Sequence, residues 1–378
     1  MRTQIATLAL VCCMSSYTAD EPKLDPATPY TAERSNPVTY GVDFSVVVTP
    51  PYKSKLLRVW LPLPQTDQGQ EVTEGEITTF PMTVEPKIGT ERIFGNKFAY
   101  FEFKEASGAQ IIRHTFKVKV YELHWNIDTE KIVTVKSWPA SFQPYLRGES
   151  QAVVVDNRFE QLMKAIVPQR GNPMKDMSAV MDWVIKDFKY NHDDASLHAS
   201  SVWAIEKHHG HCSDYHGFCS AMGRVLGQPT RITYGINPFP KNSPSHCKME
   251  TYLAPYGWVS FDVSETQNLL AAIAKSTDYD AAAKERLSLA AKNRLLHGFR
   301  DNTWYAQTRG SDYELEPPAA KRAAVVRTIY AEADGVELQD LDSASHDQKA
   351  WAWMTVHKYV PDRVATYPFT DLKSLQPH

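Results

Sequence analysis

The chain alternates before it coils. In "YGVDFSVVV", Tyr40, Val42, Phe44, Val46 and Val48 fall on one side of an extended backbone, with Gly41, Asp43 and Ser45 between them. A strand puts successive side chains on opposite faces, so this pattern predicts a strand with one buried face. "LLRVWLPLP", "FAYFEF", "IIRHTFKVKV" and "KIVTVKSW" repeat it, with Pro, Gly, Asn and Asp between them. Five or more strands without a helical stretch predict an antiparallel β-sandwich over 37–145. Residues 20–36, rich in Pro, Asp, Glu and Thr, read as a flexible lead-in.

The period changes near residue 150, where a second domain begins. "NPMKDMSAVMDWVIKDF" sets Met177, Val180, Met181, Val184 and Phe188 at helical spacing behind Asn172 and Pro173, a start signal. Strands follow over about 231–263. Residues 281–297 read as a surface helix with Asp280 as N-cap and Gly298 as its stop. Strand-like pieces resume at "TWYAQT" and "DYELEP". The C-terminal stretch 321–378, with Trp351 and Trp353, reads only as an extension that packs on a neighbour. The fold class is therefore α+β.

Composition excludes some functions. The 378 residues carry a net charge of −3, so no general basic field draws the chain to nucleic acid. Beyond the first 20 residues no run of about 18 apolar residues predicts a membrane span. Residues 1–19, with Arg2 ahead of "IATLALVCCM" and small residues, read as a signal peptide. Export to the periplasm or outside the cell is the expectation. A lipid on Cys12 or Cys13 is a weaker expectation. Without that segment Cys212, Cys219 and Cys247 remain, an odd number and no disulfide framework.

Candidate chemistry gathers at "GHCSDYHGFC". After Cys212, Tyr215, Phe218, Cys219, Met222, Val225 and Leu226 recur at three and four residues, which predicts an amphipathic helix with one buried stripe, ended by Gly227 and Pro229. Cys212 then stands at the positive end of the helix, where free N–H groups favour a thiolate and offer donors to an oxyanion. Cys219, two turns on, reads as inert filler. In "SHCKMETYLAPYGWVSFDVSE", matching the apolar faces of a hairpin puts His246 and Asp262 on one face. That parity requires an odd loop or a bulge; an odd loop such as 254–256 pairs Asp262 with Lys248, and the shared face predicts an Asp262–His246 hydrogen bond. It also turns Cys247 away from His246 and into the core.

These stretches resemble the transglutaminase-like superfamily of thiol enzymes, related in core architecture to papain-like proteases. "GHCSDYHGFCSAMGRVLGQPTRITYG" is similar to the family's nucleophile helix and first core strand. "SHCKMETYLAPYGWVSFDVSE" resembles its histidine strand, turn and aspartate strand, and "FRDNTWYAQTRGSDYELEP" its later strands. The resemblance implies a transglutaminase-like catalytic domain over 150–320 with an insertion at 268–297. It makes Cys212 the nucleophile, His246 the acid and base, and Asp262 the orienter. It implies acyl transfer at amide groups of peptides or proteins, by transamidation or hydrolysis, with no cofactor. Two departures stand out: Cys247 and Lys248 directly follow the histidine, and Thr303–Trp304 replaces an Asn–Arg pair. The calcium sites of animal transglutaminases have no counterpart.

Two rivals compete with this reading. His208, His209, His211, Cys212 and His216 lie close enough to suggest zinc, yet a helix break divides them and no second ligand pair follows. The second rival is a binding protein with an idle triad. Within the enzyme reading, a cysteine peptidase that only hydrolyses would use the same three residues.

Overall fold

The computed structural model describes residues 24–241, 243–339 and 353–375. The predicted signal peptide lies outside them. Strands β1 (Glu33–Val48), β2 (Leu56–Leu63), β3 (Gln70–Phe80), β4 (Lys87–Thr90), β5 (Lys97–Lys104) and β6 (Gln110–His124) open the fold. β1 alternates as its sequence does: Val42, Phe44, Val46 and Val48 are at most 3% exposed. "KIVTVKSW" forms no strand; a short 3-10 turn at Thr129–Lys131 precedes an irregular run.

The centre is helical. Short helices α1 (Gln143–Leu146) and α2 (Asn157–Ile166) lead to α3 (Pro173–Asp187), which Asn172 caps by accepting from the Lys175 N–H. Strands β7 (Lys189–Tyr190) and β8 (His209–Gly210) form a small parallel pair flanking α4 (Ser201–Lys207). Next come α5 (Cys212–Val225), β9 (Thr230–Ile236), β10 (Ser245–Leu253), β11 (Gly257–Phe261), α6 (Val263–Lys275) and α7 (Ala281–Leu296). α5 departs from its predicted single buried stripe: every residue from Cys212 to Arg224 is buried. Helices α2, α3, α4 and α6 and strands β9 and β10 surround it. Gly217 permits this, because a Cβ there would lie 2.2 Å from the Ala199 carbonyl oxygen. The charged residues of α5 survive burial because they find internal partners: Arg224 Nη1 lies 2.9 Å from Glu149 Oε1, and the Asp214 carboxylate accepts from the Ser196 hydroxyl.

Strands β12 (Phe299–Arg300), β13 (Tyr305–Arg309), β14 (Tyr330–Ala333), β15 (Val336–Glu337) and β16 (Trp353–Pro361) complete the chain. One sandwich sheet runs β12–β6–β1–β16, with β3 also on β6; its partner runs β15–β14–β2–β5–β4. Their inner faces share a core that includes Phe44, Val59, Phe101 and Val118. The C-terminal stretch, expected only to pack on a neighbour, thus adds β16 to one sandwich sheet and β14 and β15 to the other. A third sheet, β11–β10–β9–β13, carries α5 on one face. Its other face is covered by part of the stretch expected to be a flexible lead-in. There the Tyr30 hydroxyl donates to Glu250 Oε1 (2.6 Å), and Trp258 Nε1 donates to the Pro26 carbonyl (2.9 Å). One aromatic side chain at 8% exposure and these two bonds fix a segment whose composition alone reads as mobile.

The stretch 268–297 falls within the α6–α7 pair, packed through Leu269, Ile273, Leu287 and Ala291. α6 starts directly after Asp262, whose carboxylate caps it by accepting from the Glu265 N–H at 3.2 Å. A carboxylate at this end of a helix meets the favourable pole of its dipole.

Candidate active site

Cys212 is the first residue of α5, and His211 is its N-cap. The Ser213 N–H donates to His211 Nδ1 (3.1 Å), while Asp214 reaches back to the His211 N–H (3.2 Å). This reciprocal cap fixes the helix start. Gly210 allows it: its φ is +148°, and a Cβ would lie 2.2 Å from Asp214 Oδ2. Only 6% of Cys212 is exposed.

The hairpin has the odd loop that its polarity demands. Leu253 pairs with Gly257 across residues 254–256, and Met249 pairs with Phe261, which brings Lys248 opposite Asp262. His246 Nε2 lies 2.7 Å from Asp262 Oδ2, as the shared face predicts. Since Nε2 is engaged there, Nδ1 is the nitrogen left to face Cys212, whose thiol acts on the charge of this ring. The structure therefore brings Cys212, His246 and Asp262 together.

Of the further neighbours, Lys248 follows from the hairpin pairing, whereas its second partner Asp301 was not visible in the sequence pattern. Lys248 Nζ donates to Asp262 Oδ2 (2.6 Å) and to Asp301 Oδ2 (2.9 Å), with all three groups buried. Asp262 is thus shared between an imidazole and an ammonium. Both departures from the family pattern have a structural use here. Lys248 supplies that ammonium, Trp304 Nε1 donates to the His246 carbonyl at 3.0 Å, and the Thr303 hydroxyl donates to Asp301 Oδ1. His216 also lies underneath, with Nε2 3.8 Å from Asp262 Oδ1. The clustered histidines hinted at such neighbours; nothing in local spacing pointed to Asp301.

The electrostatics follow from these contacts. A hydrogen bond from Cys247 is the largest influence holding the Cys212 thiol well below its ordinary range; burial opposes it, and the His246 and His211 imidazoles reinforce it. Burial alone would push the His246 imidazole down, but Asp262 and Cys212 outweigh it and hold the ring up at about 10. Burial likewise works against the Asp262 charge, and His246 and Lys248 overcome it, holding the carboxyl below its usual range. Near neutral pH the group is a thiolate beside an imidazolium, with a carboxylate behind it. Burial pushes the Cys219 thiol up, which suits the inert role. Among the described residues no cluster of three or more His, Cys, Asp or Glu is arranged to hold a metal ion.

Residues 160–263 match the family model described as the transglutaminase-like superfamily, a span that contains Cys212, His246 and Asp262. The chain carries a transglutaminase-like core. A solved structure from Cytophaga hutchinsonii, provisionally assigned as a cysteine protease, is similar to it with a TM-score of 0.60. Identity to that structure is 15%, and the likeness covers 89% of this chain and 95% of the other. A Haemophilus influenzae protein without an assigned function is 21% identical over 330 residues, covering 78% of this chain and 86% of the relative. The periplasmic domain of TgpA from Pseudomonas aeruginosa aligns at a TM-score of 0.30 and 12% identity, over 65% of this chain and 97% of that domain. The transglutaminase-like core, with its cysteine at a helix start, is an architecture suited to cysteine-dependent acyl transfer or hydrolysis. No helix among the described residues is long and apolar enough to cross a membrane.

Proposed function

We propose that this protein is an exported thiol enzyme that transfers acyl groups from amides of peptides or proteins through a thioester on Cys212. The observation that carries the proposal is the 2.7 Å contact of His246 Nε2 with Asp262, on a ring that lies close enough to Cys212 for each to shift the other's charge. In the proposed reaction the thiolate adds to the amide carbonyl carbon, and the charge moves to the carbonyl oxygen beside the first N–H groups of α5. The imidazolium gives its proton to the departing amine or ammonia as the C–N bond breaks, leaving a thioester and neutral His246. An acceptor, water or a primary amine, then loses a proton to His246 as it adds to the thioester. Collapse releases the product and restores the thiolate. Asp262 keeps Nε2 protonated and Nδ1 aimed at the sulfur, and Lys248 and Asp301 hold Asp262 in place.

The test is mass spectrometry of a mixed peptide library incubated with the protein, with and without an added primary amine. The expected result is a covalent acyl adduct on Cys212 and glutamine or backbone amides converted in the library. Incorporation of the amine marks transamidation; gain of water alone marks hydrolysis. An unchanged library with no adduct would instead support a binding protein with an idle triad.

A further inference from the structure

Cys247 is the buried nucleophile beside Cys212 that the reaction above leaves unused. Alternation turns it to the face of β10 opposite His246, and that face carries the start of α5. Its hydrogen-bonding direction can be worked out from its neighbours. The Val263 N–H donates to His216 Nε2 at 3.1 Å, so that nitrogen presents its lone pair. Burial is the largest influence on His216 and pushes the ring down to about 4, so it is neutral and its proton sits on Nδ1. Nδ1 lies 3.4 Å from Cys247 Sγ and donates to it. A thiol whose sulfur already accepts still has its own S–H to give. Burial first, and then Cys212 itself, push the Cys247 thiol up, so it keeps that proton. His216 stands one turn after Cys212 on the same side of α5, so the Cys247 thiol that it touches lies beside Cys212, and the two thiols shift each other's proton affinity.

We propose that Cys247 is a donor to the reacting sulfur, the last link in a one-way chain from the Val263 amide through His216 and Cys247 to the Cys212 thiolate. The inference rests on the thioester reading above and adds a residue to it. His216 acts through Cys247 and is a positioning residue. A backbone amide at the start of α6 anchors the chain, so the helix that Asp262 caps also orients the second route to the sulfur. The other titratable groups near the two sulfurs are His211, His246, Tyr190, Tyr234, Asp262 and Arg327. A substitution at 247 leaves all of them in the chain.

Full-length Cys247→Ala and Cys247→Ser variants test this through the alkylation rate of Cys212 by iodoacetamide across pH, with the modified site assigned by peptide mapping. Cys247→Ala is expected to move the rate inflection up by about one pH unit, the effect of one lost hydrogen bond to a charged group. Cys247→Ser retains a hydroxyl donor and is expected to stay close to the parent. Thermal unfolding of each variant reports any general loosening separately. An unmoved inflection in Cys247→Ala would overturn the donor role. Equal upward shifts in the Ala and Ser variants would also overturn it, because packing rather than donation would then explain them. If the parent's Cys212 itself titrates as a free thiol, the thioester reading fails along with the donor. A low parental inflection with unmoved variants removes the donor alone.

Discussion

Cys212→Ala is expected to reduce turnover of peptide amides by about four to six orders of magnitude and to remove any acyl adduct from the protein's mass. No other thiol among the described residues can take over. Cys219 lies two turns along α5 with its thiol pushed up by burial, and Cys247 is held as a neutral thiol beside His216. The fold should survive, since the change removes one sulfur atom from the helix start, and His211 and Asp214 still cap α5. The measurement is the pair of activity and thermal unfolding midpoint. Retained activity in a folded variant would exclude Cys212 as the nucleophile.

Asp262→Asn is expected to lower turnover by about three to four orders of magnitude, because an amide can present N–H to Nε2 and so hold the ring in the wrong tautomer. It has a second consequence that follows from Lys248. This ammonium is 1% exposed and shared by Asp262 and Asp301. Losing one carboxylate leaves it half-compensated, at a cost of about 3 kcal/mol, the lower part of the range for breaking a buried ion pair. The substitution therefore slows the enzyme and destabilises it. Turnover per folded molecule, corrected by an unfolding curve, separates the two effects. A stability loss with unchanged turnover per folded molecule would make Asp262 a structural residue only.

Much of this was legible in the sequence where the physics is local. The period-two run around Val42–Val48 gave a half-buried strand because its neighbours alternate with Gly41, Asp43 and Ser45. The parity of the hairpin fixed both the odd loop and the His246–Asp262 contact, since side chains on a pleated pair have only two faces to choose from. Cys212 was visible as a helix start because apolar spacing and Asp214 both follow it.

The remainder depends on partners distant in the chain. Alternation correctly sent Cys247 to the face opposite His246, but it says nothing of what lies on that face, and there it meets His216 and Cys212. Lys248 looked like an oddity because Asp301, its second partner, comes 53 residues later from beyond α7. α5 is buried on all sides rather than one, since the covering elements α2, α3, α4 and α6 come from both directions in sequence. β16 carries its strand partner information in β1, more than 300 residues earlier in the pairing of Tyr40 with Pro361. "KIVTVKSW" has strand-like composition but joins no sheet, its Val133 N–H donating instead to the Ala254 carbonyl at 2.8 Å, which illustrates how far context overrides β propensity.

The most direct test of the central claim is the rate at which iodoacetamide modifies Cys212 from about pH 4 to about pH 11, followed by peptide mapping. A thiolate beside an imidazolium predicts modification already fast well below the ordinary thiol range, a plateau through neutral pH, and a second rise near pH 10 as His246 loses its proton. A single inflection near about 8.5, the value of an unperturbed thiol, would contradict it.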